Sequence, residues 1–183
     1  MRDNKGFSLI EIIVVLCIAA LLVSGTAISI RSLHYADAQY CVKDLNSALY
    51  TLRTNTLSQG ELHHYLVIEW DNTKQEYNLI LARSSDEITN NTEWVSAKTK
   101  TEGESATLKI SLHKKLASRL ITISYSTNKT SFSEIRNANS VILISYKADS
   151  GAFESGYKQI RVTSNNNSST LFMVTSTGNH YIR

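Results

Sequence analysis

The apolar residues of this chain are concentrated near its start. Residues 7–30 form a nearly continuous apolar run, interrupted by one charged residue, Glu11, and by a few small or polar residues. As a helix this run extends about 36 Å, which is enough to cross the ~30 Å hydrocarbon core of a bilayer. The pattern therefore predicts a single transmembrane helix over residues 7–30, preceded by a short polar leader, residues 1–6.

A secretory signal peptide or a buried core helix would fit the apolar run less well. The apolar region of a signal peptide is about 7–15 residues long, and a core helix shows a polar face that this run lacks. Glu11 adds a constraint, because a carboxylate at the centre of a membrane helix costs about 2.5–3.5 kcal/mol and usually has a partner. Cleavage after Gly6 would create an α-amine on Phe7, close to Glu11 in the chain, and would supply that partner.

From residue 31 the pattern becomes amphipathic. Apolar residues recur at steps of three and four positions, which predicts a helix with one buried face. The chain contains no proline, so we expect the helix to continue from about residue 7 to residue 59, with residues 31–59 as its amphipathic part. The residues predicted to be buried are Ala38, Cys41, Val42, Leu45, Ala48, Leu49 and Leu52.

Residues 60–183 have a strand-like pattern and form the predicted head domain. Segments 64–70 and 77–83 flank a polar turn and predict a β-hairpin, whereas segment 84–105 is polar with little periodicity and predicts a long surface loop. Further strands are predicted at 107–112, 119–125, 141–146, 158–163 and 171–175. The predicted fold class is α+β: a long N-terminal helix, half transmembrane and half amphipathic, packed on a mostly antiparallel β-sheet head.

Composition and charge limit the function classes. The chain is 42% apolar with a formal net charge of +3, which excludes a disordered protein and a strongly basic protein that coats nucleic acid. Cys17 and Cys41 lie ~36 Å apart on one predicted helix and cannot form a disulfide with each other. The sequence has no phosphate-binding glycine loop, nucleophile elbow or zinc-ligand spacing. We therefore expect no enzyme activity, catalytic residue, metal site or cofactor.

The start of the chain resembles the cleavage site of type IV pilins and type II secretion pseudopilins. From Gly6 to Glu11 the sequence is GFSLIE, and the apolar run follows. In that family a prepilin peptidase cuts after the glycine, the new N-terminal phenylalanine is methylated, and the glutamate helps register subunits as they enter a filament. The resemblance implies cleavage between Gly6 and Phe7, N-methylation of Phe7 and a role for Glu11 in assembly.

Two further similarities favour the GspH/FimT branch of this pilin-like family. Residues 45–60 are similar to the end of its first helix, and residues 171–183 are similar to its final strand with a serine-containing turn and a glycine. The resemblance implies a pilin-like fold and a minor pseudopilin of a type II secretion system. Such a protein is a non-catalytic filament subunit at or near the tip of the periplasmic pseudopilus.

The resemblance also implies a location and a set of partners. The protein would cross the bacterial inner membrane once, with a cytoplasmic N-terminus and a periplasmic head, and would then enter a periplasmic filament. Its expected partners are other major and minor pseudopilins or pilins, the prepilin peptidase and the inner-membrane assembly platform.

The alternative is a FimT-like minor pilin of a type IV pilus that binds and takes up DNA. DNA-uptake members of that branch carry a C-terminal Gly-Arg-any-Arg motif; here Gly178 matches, whereas Asn179 and Tyr181 stand at the arginine positions. Phosphate binding would need clustered cations, because the net charge of the chain is small. The candidate DNA contacts are Lys114, Lys115, Arg119, His180 and Arg183.

Overall fold

The structure is a computed structural model that describes residues 9–59, 61–101, 108–118, 120–136, 141–165 and 167–183. The described part contains two helices, α1 (Leu9–Ser58) and α2 (Asn91–Thr101), and nine strands. The strands are β1 (His63–Asp71), β2 (Glu76–Ser84), β3 (Leu108–Ser118), β4 (Ile121–Ser126), β5 (Ser133–Glu134), β6 (Val141–Ser145), β7 (Gln159–Ser164), β8 (Asn167–Val174) and β9 (Asn179–Ile182).

Helix α1 is continuous over Leu9–Ser58, as the absence of proline predicts. The seven residues predicted to be buried on its amphipathic part are all at most 6% exposed, so the predicted packing face is confirmed. Burial raises the pKa of the Cys41 thiol to about 12. Cys41 therefore acts as a small apolar side chain and not as a thiolate.

The predicted leader (1–6), transmembrane helix (7–30) and amphipathic helix (31–59) include residues that lie outside the described ranges. Residues 1–8, which include the predicted leader and cleavage site, are among these. Among the residues that the structure describes, no helix combines the length and the apolar character needed to traverse a bilayer. The boundaries after residues 6, 30 and 59, which separate the leader, the transmembrane helix, the amphipathic helix and the head, stay predictions.

The strands form two antiparallel sheets in the described part of the chain. Sheet A has the order β3-β2-β1-β6, and sheet B has the order β5-β4-β7-β8-β9. Helix α1 contacts strands of both sheets, and its buried residues share one core with Leu66 and Ile68 of sheet A and with Ile160 and Leu171 of sheet B. The predicted α+β class with an N-terminal helix and antiparallel sheets is confirmed, and it is compatible with a pilin-like fold.

The predicted hairpin is confirmed as strands β1 and β2, which pair from end to end and bring Asp71 opposite Glu76. The Asp71 carboxylate accepts hydrogen bonds from the backbone N–H groups of Thr73 and Lys74 at 2.9 and 3.0 Å. Gln75 completes the turn with a φ of 53°. An aspartate that bonds the backbone two and three residues ahead is a typical turn former, which is why the sequence signals this hairpin clearly.

The other five predicted strand segments each overlap a strand, with shifted limits. Two strands, β5 and β9, were not predicted from the sequence. Strand β9 pairs with β8 in antiparallel register, so the last residues form a hairpin and not a single final strand. Strand β9 spans only Asn179–Ile182, which is too short for a periodic pattern to identify it.

The expectation of a surface loop over residues 84–105 is wrong at its centre, where α2 forms. The helix start is capped: Asn90 Oδ1 accepts a hydrogen bond from the Glu93 N–H at 3.0 Å, and Glu93 Oε2 accepts one from the Thr89 N–H at 2.7 Å. Trp94 is 0% exposed and packs with Tyr65 of β1. These two residues belong to a second hydrophobic core, which is separate from the core beneath α1. One large side chain anchors α2, so the helix lacks the apolar periodicity that would predict it.

We expect Trp94→Ala to lower the free energy of unfolding by about 3–5 kcal/mol, because it leaves a cavity beneath α2. Val95→Ala is the matched control: this neighbour on the same helix is 44% exposed, and its replacement should change stability by less than ~0.5 kcal/mol. Urea unfolding followed by circular dichroism measures both values. Equal losses for the two variants would contradict an anchoring role for Trp94.

Candidate functional site

The N-terminal part of α1 exposes apolar side chains on every side. All residues from 9 to 23 are exposed, and eleven of them are large hydrophobic residues with 50–77% of their surface exposed. We call residues 9–23 the exposed apolar segment. Contiguous apolar surface of this extent marks a region that lipid or other protein covers. This helix segment must be covered from outside, whereas the core of the head is covered by the amphipathic part of α1.

Glu11 is the one acidic residue in the exposed apolar segment. It lies in the first turn of α1, and its side chain is exposed. Gly6 and Phe7, the predicted cleavage and methylation site, lie outside the described residues, so the pairing of Glu11 with the Phe7 amine stays a prediction. A carboxylate inside an apolar environment usually has a partner.

Two of the candidate DNA contacts lie side by side on β3 and form ion pairs. The Nζ of Lys114 lies 2.8 Å from Asp44 Oδ2 on α1, and the Nζ of Lys115 lies 3.1 Å from Glu76 Oε2 on β2. Residues 109–119 contain no acidic residue in the sequence, but carboxylates from other elements partly neutralise their positive charge. Arg119, the third candidate in this stretch, lies outside the described residues.

His180 is a core residue of the C-terminal hairpin, with 7% of its surface exposed. Its ring centroid lies 4.4 Å from that of Tyr50, and its Nδ1 lies 3.4 Å from the Tyr146 hydroxyl oxygen. Burial, assisted by the positive charge of Arg53, lowers the pKa of His180. The neutral imidazole is therefore favoured, and His180 is poorly placed to bind a phosphate as a cation.

Arg183 is exposed next to β9. Its backbone N–H and carbonyl pair with those of Thr170 at 2.9 and 3.0 Å and extend the β8–β9 ladder. Lys114 contacts α1 through Asp44, whereas the C-terminal hairpin contacts Arg53, which points to the opposite side of the helix at 3.6 residues per turn. The structure therefore does not bring the β3 lysines and the C-terminal residues into one cluster.

Arg53 holds the turn of the C-terminal hairpin against α1. Its guanidinium donates hydrogen bonds to Asn179 Oδ1 and to the Thr177 carbonyl, both at 3.1 Å. In the same turn Gly178 has a φ of +67°, and a Cβ at this position would overlap the carbonyl oxygen of Gly151. The turn requires glycine here, both for its backbone conformation and for its close packing on the neighbouring turn.

The contact of Arg53 with the hairpin was not predicted, because the helical pattern places Arg53 on the polar face. A signal is nevertheless present in the sequence. Arg53 follows the buried Leu52 and comes four residues after the buried Leu49, so it borders the packing face. A long arginine side chain at such a border reaches across apolar surface to polar groups of the packed domain.

The N-terminal residues match one known family model. Residues 1–27 match the prokaryotic N-terminal methylation motif, over a range that contains the predicted leader, the cleavage site and Glu11. The motif indicates a type IV pilin-like protein. It supports the prepilin leader and the methylation, and it implies processing by a prepilin peptidase and partners of the pilin family. No curated protein and no solved structure matches the chain significantly.

We expect Gly178→Ala to lower the free energy of unfolding by at least ~2 kcal/mol, because alanine is strained at this φ and its Cβ meets the Gly151 carbonyl. Gly156→Ala is the matched control, since a Cβ there meets nothing within 4 Å, and its effect should stay within ~1 kcal/mol. Thermal unfolding measures both. A loss in the Gly178 variant no larger than in the control would show that the turn tolerates a side chain.

Proposed function

We propose that this chain is a minor pseudopilin of a type II secretion system, a non-catalytic filament subunit at or near the tip of the periplasmic pseudopilus. The observation that carries the proposal is the methylation motif at residues 1–27, which leads into the exposed apolar segment of α1. The exposed apolar segment must be covered by lipid or by other protein, and it is attached to a β-rich head with a buried core. This arrangement suits a subunit that moves from the membrane into a bundle of similar helices. The similarity of residues 45–60 and 171–183 to the GspH/FimT branch supports the minor-pseudopilin role.

In this proposal the prepilin peptidase removes residues 1–6, and Phe7 becomes the methylated N-terminus. Residues 7–30 then anchor the protein in the bacterial inner membrane, with the head, residues 60–183, in the periplasm. The inner-membrane assembly platform adds the subunit to other major and minor pseudopilins. The head supplies surface for contacts and has no catalytic role.

Glu11 provides the electrostatic step of assembly in this proposal. A carboxylate costs about 2.5–3.5 kcal/mol at the centre of a membrane helix and less near its end. The amine of Phe7 on a neighbouring subunit offsets this cost when the two subunits are at the correct axial position. The pairing therefore favours the register of the helices in which the Glu11 carboxylate meets the Phe7 amine.

A FimT-like minor pilin that binds DNA is the second candidate. The observation in its favour is β3, which carries Lys109, Lys114 and Lys115 and has no acidic residue. Two observations weigh against it: Lys114 and Lys115 are ion-paired, and His180 is buried. A DNA phosphate would have to compete with carboxylates already in place, so we rank secretion above DNA uptake.

We expect Glu11→Ala to reduce incorporation of the protein into filaments by about tenfold or more, which corresponds to a loss of at least ~1.4 kcal/mol per subunit contact. Quantitative immunoblotting of sheared filaments, normalised to the membrane fraction, measures incorporation. Glu61→Ala, which removes an exposed carboxylate of the head, is the control and should incorporate normally. Mass spectrometry should find methylated Phe7 as the first residue of both proteins. Normal incorporation of the Glu11 variant would contradict the assembly role.

Deletion of the gene, assayed in parallel for exoprotein secretion and for DNA uptake and twitching, distinguishes the two candidate machines. We expect secretion to fail and to return with a plasmid copy, while DNA uptake and twitching continue. Loss of DNA uptake or twitching with normal secretion would assign the protein to a type IV pilus instead.

A further inference from the structure

Strand β3 is an open edge of sheet A. Within the described residues its strand neighbour is β2, and β3 runs for 11 residues. The side chains from 109 to 113 are exposed, including the apolar Ile110 at 39% and Leu112 at 37%. Backbone N–H and C=O groups along such an edge are available to pair with a further strand.

A groove runs beside this edge, between β3 and α1. It consists of two adjoining hollows of about 350 and 340 Å³, which share Asp44. On α1 the lining extends from Asp37 to Asn55, which is about 27 Å along the helix. Apolar side chains such as Ala48 and Leu112 lie among the lining residues. The Lys114–Asp44 ion pair joins β3 to α1 where the two hollows meet, and the hollow from Asp44 to Asn55 extends about 17 Å along the helix, which is enough for about five residues of extended chain at ~3.4 Å per residue.

An open strand edge beside a helix is an arrangement that can bind an extended peptide as an added strand. The main-chain hydrogen bonds give affinity, and alternate side chains of the peptide enter the groove. Leu112 and Lys114 lie on the α1 side of β3, because their partners on β2, Leu81 and Leu79, belong to the core beneath α1. An added strand would thus place every second side chain over the groove.

The charges on β3 specify the chemistry of the partner. Residues 108–118 include three lysines and one histidine and no acidic residue. Side chains on adjacent strands lie directly opposite each other, so a strand with acidic residues is favoured and a basic strand is disfavoured. Lys114 and Lys115 already have one carboxylate each, but their side chains remain 38% and 57% exposed, which leaves room for a second.

The same charges argue against a second copy of β3 as the partner. Antiparallel pairing of two β3 strands would bring lysines of one strand close to lysines of the other. Irregularities in the β2–β3 register lie between Tyr77 and Asn78 and between Leu81 and Ala82, and they limit regular pairing of any added strand to the part of the edge between them. Between them, residues 112–115 pair regularly with β2 and form the regular part of the edge.

We propose that β3 and the adjoining groove bind an extended, acidic segment of a partner protein as an added strand. Acidic side chains of that segment lie opposite His113 and Lys115, on the face of sheet A away from α1, and its alternate apolar side chains enter the groove beside Leu112. This interaction goes beyond the proposed assembly function and does not depend on it, because it uses the head and leaves the exposed apolar segment of α1 aside.

Peptide binding to the full chain in detergent tests the proposal. The probe is a fluorescein-labelled, acetylated Thr-Glu-Val-Glu-Val-Glu-Thr amide. The comparison peptides are the same sequence with Lys for Glu and the acidic sequence with N-methylated backbone amides, which cannot donate to a strand edge. Fluorescence anisotropy should show saturable binding of the acidic peptide, about tenfold tighter than either comparison peptide. No saturable binding, or equal binding of all three, would overturn the proposal.

Leu112→Glu and Val174→Glu locate the binding site. The two residues are similarly exposed, at 37% and 38%, but Leu112 lines the groove on β3, whereas Val174 lies on β8 of sheet B and lines neither hollow. We expect Leu112→Glu to weaken acidic-peptide binding about tenfold and Val174→Glu to change it less than threefold. Circular dichroism checks that both variants fold.

A second variant keeps the test decisive if Leu112→Glu fails to fold. Thr51→Trp fills the groove from the α1 side and should also weaken peptide binding about tenfold. Three results would each overturn the proposal: equal losses in the groove variants and in the Val174 variant, displacement of the peptide by duplex DNA, or dimerisation of the chain through β3 in sedimentation experiments.

Discussion

The packing of one face of α1 is the interaction on which the head domain depends. In the described part of the chain, sheets A and B are separate hydrogen-bonded sheets, and the buried residues of α1 share one core with both. Leu45 and Leu49 are fully buried there, and burial of each such side chain contributes about 1.5–3 kcal/mol. The C-terminal hairpin adds a polar contact to the same helix through Arg53. The relative arrangement of the two sheets is therefore set by a surface that neither sheet supplies.

The same helix also carries a segment that the head does not cover. Its amphipathic part is apolar on one face, which the head covers, whereas residues 9–23 are apolar all round and the head covers none of them. The mean hydropathy of −0.17 is an average over these two unlike regions. Because no proline interrupts α1, one continuous helix carries the exposed apolar segment and packs on the head. The cover for the segment must come from outside the head, which is the physical basis for the membrane and filament proposal.

The sequence predicted those features that arise from local patterns. The buried face of α1 follows from residues at steps of three and four, and the β1–β2 hairpin follows from Asp71 and the polar turn after it. Helix α2 was not predictable in this way, because its packing depends on the single buried Trp94. The ion pairs of Lys114 and Lys115 and the burial of His180 depend on residues far away in the sequence. The prepilin-type motif is a local pattern, and for that reason the sequence was most informative about processing.

Charge in the sequence and charge on the folded surface differ most on β3. Residues 108–118 form an acid-free basic segment, yet Asp44, which pairs with Lys114, comes from a helix 70 positions earlier in the chain. Exposed ion pairs of this kind are weak, about 0–1 kcal/mol, so they reduce the local positive potential without fixing the lysines in place. A dense, regularly spaced polyanion gains little from a strip of charge that is already half neutralised. An extended chain gains more, because it combines modest charge pairing with main-chain hydrogen bonds along the open edge and with burial of apolar side chains beside α1. The edge is therefore better suited to an acidic polypeptide than to nucleic acid.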